Sequence, residues 1–492
     1  GLMPLILPGN VASATASTTY DVDNSCRFYS DTYMHITPGS TGTEETFTFS
    51  TWLKRGNLTA VDQHLFSVKS GSYHQCHIYL SIQNSTSHNI YIYFTDTGGN
   101  VESITKTTAS YRDISAWYHI VVAVDTTQST DTNRVKIYVN GTLITAITQH
   151  ASFSKYPDQN FVPPVSKQVQ HEIGRREDDN KYFDGYMAEV VLIDGTQYAA
   201  SDFGEFNEDS PTIWQPKDVS GLTFGTNGFY LDFEDSANLG ADSSGNSNDL
   251  TETNLDATDQ ATDTPTNNFA TLNPLDNFDG GTLAQGNTYY TSVSSKHDFV
   301  VSTIGMSAGK WYAEFKIHQD TDYNVIGISD HGYQGSNQEL SEDNYSYAFT
   351  NYDASNSIVR GNGSTILSSM PLFGNGDIVC VAVDLDNHKL YFRKNGDAWI
   401  NSGDPESGAT GTGAVSIQDL SSVSSSYGQG VYFFGVGLWN TDASGSYDAN
   451  FGNPAFAITS SNADGNGYGN FEYDVPSGYL ALCTKNLGSD GG

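Results

Sequence analysis

Basic residues are scarce in this chain. Lys and Arg number 22 against 57 Asp and Glu, a formal net charge of −35 over 492 residues. Nucleic-acid binding gathers Lys and Arg on one face to meet phosphates, and so does docking on an anionic lipid surface; neither partner fits this composition. Cysteine is scarce as well. Cys26, Cys76, Cys380 and Cys483 show no metal-ligand spacing, and no two are close in sequence. A disulfide framework is not expected, although a single Cys26–Cys76 bridge stays open; Cys380 lies in an apolar run and reads as an inert core thiol. No segment approaches the roughly 20 consecutive apolar residues of a membrane span, so no membrane insertion is expected. The opening Gly1-Leu2-Met3-Pro4-Leu5-Ile6-Leu7-Pro8 is too short and proline-broken for a secretory core and lacks a basic flank. Sustained 3.6-residue periodicity and heptads are missing too, so helix should be minor.

Turn formers and aromatics fill the space left by these absences. The chain has 48 Gly, 30 Tyr and 25 Phe, with abundant Ser, Thr, Asn and Asp, which is the pattern of many short strands joined by turns. The length accommodates two large sandwiches, each able to bury a core of its own. The reading is an all-β chain of two tandem antiparallel β-sandwiches joined by a loop-rich linker. Residues 1–20 are small or apolar with two prolines and read as an extended arm. The first sandwich spans 21–235, with half-buried strand candidates at Phe47–Leu53, His77–Leu80 and Asn89–Phe94. From 236 to 284 the composition shifts to Asp, Ser, Asn, Thr and Gly, typified by Asp242-Ser243-Ser244-Gly245-Asn246-Ser247-Asn248-Asp249, and reads as a linker. The second sandwich spans 285–486 and ends in the apolar run Tyr479–Cys483; residues 487–492 read as a flexible tail.

Two sets of ordered motifs make the fold classes more specific. In the second half, Phe373-Gly374-Asn375-Gly376-Asp377 leads into the apolar strand Ile378–Asp384, then Lys389-Leu390-Tyr391-Phe392, then Asn395-Gly396, with Lys310-Trp311-Tyr312 upstream and Ala449-Asn450-Phe451-Gly452 downstream. Asn-Gly after an apolar run is the strongest short hairpin signal, because both residues tolerate positive φ. This order resembles SPRY domains, which are antiparallel sandwiches that bind partners through loops at one end. In the first half, Trp117-Tyr118-His119 opens the strand to Asp125, Val135–Val139 ends in Asn140-Gly141, and Ile173-Gly174-Arg175 precedes Phe183-Asp184-Gly185 and the strand to Asp194. That order resembles the laminin-G-like, concanavalin-like lectin fold.

Catalytic constellations are hard to find. A glycosidase on such a sandwich needs two carboxylates facing each other across a cleft. Glu314 has no acidic neighbour two residues away on its strand, and Glu189 stands alone among apolar residues, so both read as structural. No Gly-x-Ser-x-Gly elbow on a strand–helix junction and no phosphate-cradling loop with a Lys-Ser/Thr appears. His74, Cys76 and His77 could share zinc only by straining a strand, so no metal site is expected there. His119 reads as a structural partner on the face it shares with Trp117. No cofactor is expected: Asp232, Asp235, Asp242 and Asp249 read as a plain Asx-turn linker, with a site for calcium, the more plausible ion, as the alternative. Carbohydrate binding wants aromatic platforms beside polar loops. Tyr333, Tyr345, Tyr347 and Tyr352, in a polar loop-rich stretch, and Trp399, just past the Asn395-Gly396 turn, are the candidate ligand-binding residues.

The opening Leu7-Pro8-Gly9-Asn10-Val11-Ala12-Ser13-Ala14 and the connector Thr262-Asp263-Thr264-Pro265-Thr266-Asn267-Asn268-Phe269-Ala270-Thr271-Leu272-Asn273-Pro274 resemble segments of structural proteins of marine tailed phages. That resemblance implies a non-enzymatic virion surface protein, made in the host cytoplasm and released by lysis. Its partners would be other virion proteins and a host-surface glycan or receptor. It implies a homo-oligomer, with a trimer the expectation. The alternatives are a purely structural capsid or tail decoration protein and, less in keeping with the missing carboxylate pair, a polysaccharide-degrading enzyme.

Overall fold

Period-two alternation becomes strand wherever one face of the segment finds an apolar partner. The computed structural model describes residues 20–492 except 59–60, 84–86, 149–151, 178–180, 279, 294–296, 320–322, 331–339, 343–344, 354, 423–429, 440–443 and 491–492; residues 83, 352, 353, 422 and 488–490 are described through their backbone alone. Strands make up 44% of the chain and helices 6%, so the fold is all-β. It divides into two units, Gly1–Thr266 and Asn267–Gly492.

The first unit is a sandwich of two eight-stranded antiparallel sheets. In the first sheet Thr46–Arg55 pairs with Trp117–Asp125 on one side and Gly185–Asp194 on the other. The second sheet runs, in spatial order, Val101–Thr107, Ser87–Thr95, His74–Gln83, Gln63–Ser70, His171–Ile173 and Tyr33–Ile36 between its edge strands. Their inner faces meet in one core, to which Phe47, Phe49 and Val122 come from the first sheet and Phe66, Ile78 and Ile92 from the second. Each such side chain contributes roughly 1.5–3 kcal/mol on burial. Asn140 and Gly141 take φ of 46° and 76°, turning Val135–Val139 into Thr142–Leu143 as a two-residue hairpin.

The second unit pairs a seven-stranded with an eight-stranded sheet. Lys310–Gln319 lies between Ile378–Asp384 and Ser446–Asn450, and Leu480–Ala481 adds to it in parallel. Trp311, Phe315, Val381 and Phe392 meet Ile326, Phe349 and Phe434 in its core. Here the Asn-Gly signal works differently. Asn395 alone takes a left-handed φ, of 52°, and its side chain accepts from the backbone N–H of Ile378. The chain then enters a 3₁₀ turn at Ile400–Ser402, so the pair ends a strand and does not join two.

Residues 236–284, expected as a linker, belong to the two sandwiches. Thr251–Thr253 pairs with Tyr33–Ile36, and Gln260–Ala261 with Ser25–Phe28, in the first unit. Leu272–Phe278 and Thr282–Ala284 pair into the sheets of the second. These strands carry Thr, Asn, Asp and Gln and pair through the backbone, so composition hides them. The tail also begins in regular structure, as the end of the helix Thr484–Asp490. No Cys26–Cys76 bridge exists: all four cysteines are free and buried. Burial raises the Cys26 and Cys76 thiols well above their ordinary value, as it does that of Cys380, to about 12.

Asp263 is the least expected buried residue of the first unit. Its carboxylate lies 2.6 Å from Lys54 Nζ, with both side chains at 1% exposure or less. Trp117 Nε1 donates to its other oxygen at 3.0 Å, and Ser25 Oγ to its carbonyl at 2.6 Å. Burial holds the Lys54 ammonium below its ordinary pKa, and the Asp263 charge opposes that shift. Asp263→Ala strips the counter-charge from a buried cation, and a loss of about 3–5 kcal/mol is expected. Chemical denaturation followed by tryptophan fluorescence measures it; an unchanged midpoint would show that Lys54 finds another partner.

Candidate functional site

The outer face of the second sheet of the first unit gathers aromatic and histidine side chains. His74–Gln83 presents Cys76, Ile78 and Leu80 to the core, so His77 and Tyr79 point outward; Ser87–Thr95 presents Ile90, Ile92 and Phe94 inward and Tyr91 and Tyr93 outward. Strand register then sets these residues directly opposite one another. One transverse row reads His64, Tyr79, Tyr91, Lys106. The neighbouring row reads His35, Glu172, Ser67, His77, Tyr93, Ile104.

Ring contacts lock the rows. His64 stacks on Tyr79 at 4.6 Å and 3°, and His77 on Tyr93 at 5.6 Å. Tyr79 lies 5.2 Å from Tyr91, whose ring carries Lys106 Nζ at 5.1 Å. The segment after His171–Ile173 lines one flank. Arg175 grips Glu172 with two bonds of 2.6 Å and sits 3.6 Å from the Tyr33 ring centroid. The Glu177 carboxylate meets His77 Nε2 at 3.0 Å. Burial, with the charges of His77, Arg176 and Lys181, drives the His64 pKa well below its ordinary value, so its ring is neutral near pH 7. Burial likewise raises the Tyr79 and Tyr93 hydroxyls, which stay protonated.

Two features suit this face to a hydroxyl-rich ring. Tyr33, Tyr79 and Tyr93 are half-buried and show aromatic surface to solvent. The Tyr91 hydroxyl and His64 Nδ1 are buried with no hydrogen-bond partner among the described residues. Such groups favour a ligand that brings donors and acceptors of its own.

Among the residues singled out from sequence, the three with described side chains, Tyr345, Tyr347 and Trp399, are split between two separate clusters. Tyr347 is 4% exposed, part of the second unit's core, with its ring 6.4 Å from Tyr432 and its hydroxyl accepting from the Gln418 N–H. Tyr345 is half-buried against the same core, at φ 67°, with its N–H donating to Asn362 Oδ1. Trp399 packs on a separate cluster outside the other sheet, its ring under the Arg393 guanidinium at 4.7 Å. Tyr352 lies on Ser346–Asp353, with its side chain outside the described part, and Tyr333 lies outside the described residues.

The four candidate calcium ligands serve their own loops. Asp232 accepts from Glu234 N–H and Ser243 Oγ, Asp235 from Ala237 N–H, Asp249 from Asp242 N–H, and Asp242 from four donors on Tyr230, Ser244 and Asn248. Among the described residues no group of three His, Cys, Asp or Glu side chains is placed to hold a metal ion. His77 points outward while Cys76 points into the core, which separates that zinc trio.

Glu189 and Glu314, the two glutamates weighed as catalytic candidates, have structural surroundings. Glu314 accepts from Tyr312 OH and from the N–H groups of Glu472 and Tyr473. Glu189 sits at a bulge with φ 51° and accepts from Tyr230 OH at 2.8 and 2.9 Å and Tyr20 OH at 3.3 Å. Burial raises Glu189 to about 8, against the lowering pull of these two hydroxyls. His119 joins Ser50 Oγ at 2.9 Å and accepts from Trp214 Nε1 at 3.0 Å, the structural role its sequence position suggested.

Comparison with known proteins agrees with this architecture. Residues 28–200 match the concanavalin A-like lectin/glucanases superfamily, and residues 310–403 match the SPRY domain family. The chain therefore carries a concanavalin-like domain followed by a SPRY domain. No curated protein sequence matches it. Among solved structures, the SPRY domain of human HERC1 is 13% identical with a TM-score of 0.28, covering 36% of this chain and 96% of its own. A Bacteroides ovatus protein described as carbohydrate-binding is 16% identical with a TM-score of 0.32, covering 49% of this chain and 62% of its own. A heptameric SAP-like pentraxin from Limulus polyphemus is 11% identical with a TM-score of 0.26, covering 37% and 80%.

The Glu189 site makes a pH prediction. An acid raised from 4.5 to about 8 keeps its proton in the folded chain while the unfolded chain loses it. Stability from this group is thus full below about pH 4.5 and falls as pH rises toward 8. Glu189→Gln removes that slope, so in urea midpoints across pH 5 to 8 the unsubstituted protein will lose stability relative to the variant as pH rises. A pH-independent difference would mean that Glu189 is ionised in the fold.

Proposed function

We propose that this chain is a non-catalytic recognition protein whose first unit binds glycan on the outer face of its second sheet. The observation that carries this reading is the pair of transverse rows, in which half-buried tyrosines lie beside buried polar atoms with unmet hydrogen-bonding capacity. Sugar rings stack their C–H faces on aromatic surface and exchange hydroxyl hydrogen bonds with the groups around it. The concanavalin-like family match supports the assignment, and so does the description of the Bacteroides ovatus protein. The SPRY unit is assigned to protein contacts, on family resemblance.

The setting we propose is a phage virion surface, where such a face meets the host envelope. It is supported by the resemblance of Leu7–Ala14 and Thr262–Pro274 to phage structural proteins. A glycan array that includes bacterial envelope polysaccharides, probed with the full chain, tests the binding reading. Saturable binding to one glycan class is expected, with Tyr79→Ala and Tyr93→Ala each weakening it about tenfold and Trp399→Ala leaving it unchanged. Binding that survives both tyrosine variants with correct folding would move the site elsewhere; release of reducing ends would make the chain an enzyme.

A further inference from the structure

The buried ion pair of the first unit is also a pair of chemical partners. Strand register places Lys54 between Trp117 on one neighbouring strand and Tyr186 on the other. Those two rings stand 6.3 Å apart, and Lys54 Nζ lies 5.9 Å from the Tyr186 centroid. Asp263 enters this aromatic box from 209 residues further along the chain. It sets Oδ2 2.6 Å from Nζ, with the two side chains 0% and 1% exposed.

Both partners are held in place. Lys54 sits on a central strand of the sheet. The Asp263 carbonyl takes the Ser25 hydroxyl, and Thr266 is tied to the N–H and the carbonyl of Val22. Trp117 Nε1 donates to Asp263 Oδ1 at 3.0 Å, which polarises the carboxyl group and leaves Oδ2 facing the amine. Cγ is one bond beyond Oδ2, so nitrogen and carbon stand close to the roughly 3–3.5 Å of a near-attack pair. Groups fixed in this way react with effective molarities of about 10⁵ M or more.

The surroundings favour a neutral product. Two charges out of water carry a desolvation cost that their attraction only partly offsets. Burial holds the Lys54 amine below its ordinary pKa, against the opposing charges of Asp263 and Asp113, and a desolvated amine is the nucleophilic form. An amide at this place buries no charge, and the water formed with it leaves an apolar layer. Lys310 and Asp384 of the second unit provide the contrast: they meet at 3.2 Å, but the lysine is 25% exposed and keeps its hydration.

We propose that Lys54 and Asp263 condense to an intramolecular isopeptide bond, a covalent clasp between a central strand and the last segment of the first unit. The step balances within the pair. One ammonium proton passes to the carboxylate, and Nζ attacks Cγ. The Nζ–Cγ bond forms, the Cγ–Oδ2 bond breaks, and the oxygen leaves as water with two of the three ammonium protons. Oδ1 stays as the amide oxygen and still accepts from Trp117. The ion pair is the folded precursor, and its register selects this lysine for this carboxylate. All four cysteines are free, so a clasp of this kind needs no oxidising compartment.

Mass spectrometry of the full chain, unfolded in acid after folding, provides the test. A mass lower than that of the sequence by one water is expected, and Lys54→Met and Asp263→Ala should each show the full mass of their own sequences. A tryptic digest of the unsubstituted chain should contain a branched peptide, residues 28–55 joined through Lys54 to residues 218–296, while Lys310 remains an ordinary cleavage site. That map is read on the unsubstituted chain and does not depend on whether a variant folds. The full sequence mass in both fresh and long-stored protein overturns the proposal. So does a water loss that maps to an Asp-Gly pair such as Asp464-Gly465, which marks a backbone imide and not a clasp.

Discussion

The first unit is closed by a buried carboxylate. Asp263 reaches Lys54 on a central strand and Trp117 on its neighbour, and its carbonyl takes the Ser25 hydroxyl. Three residues further on, Thr266 Oγ1 accepts from the Val22 N–H and donates to the Val22 carbonyl. A late segment is thereby fastened over the first strands of the chain. Burying an ion pair is a poor way to gain stability, because desolvation offsets most of the attraction. What the pair provides is register: a lysine buried in a β-sheet tolerates only the arrangement that brings a carboxylate to it. Tyr186, with Lys54 and Arg27 at 5.9 and 5.5 Å from its ring, supports the same cationic cluster.

This closure decides which surfaces are available. Each unit is more than two sheets. In the first, residues near 200–230 lay Phe203, Trp214, Phe224 and Tyr230 over the outer face of the first sheet. In the second, Phe456, Phe471 and Tyr479 cover the outer face of the eight-stranded sheet. On the outer face of the first unit's second sheet, histidine, tyrosine and charged groups alternate across strands instead. At the margin of the covered face a cavity beside Phe206 and Trp214 is lined by both Glu205 and Lys217. One sandwich thus presents two chemically distinct faces, one of histidine and tyrosine rows and one covered by apolar rings.

Strand segments were legible because alternation is local. Phe47–Leu53, Asn89–Phe94 and the strands beginning at Trp117 and Ile378 were all readable, as was the turn at Asn140-Gly141, whose two residues alone tolerate the required φ. The linker reading failed at Thr251–Thr253 and Gln260–Ala261, where backbone pairing and not apolar content holds the strand. The candidate binding residues are a different case. Tyr345 and Tyr347 were chosen for their polar surroundings in sequence, yet Tyr347 is a core residue with a satisfied hydroxyl. The pairs His77/Tyr79 and Tyr91/Tyr93 were available as i, i+2 signals on strands already recognised, but nothing local says that they lie side by side.

The sequence by itself determined the all-β class, the two sandwiches in their order, and the acidic balance that disfavours nucleic acid. These follow from composition, from periodicity and from motifs a few residues long. Only the tertiary structure decided that Asp263 is buried on Lys54, that Tyr79 and Tyr91 stand beside His64 in one row and Tyr93 beside His77 in the next, and that Trp214 packs against Gly141 and Gly204. The physical reason is range: alternation and turn chemistry act between neighbours in the chain, whereas register, ion pairing and cavity shape are set between residues tens to hundreds of positions apart.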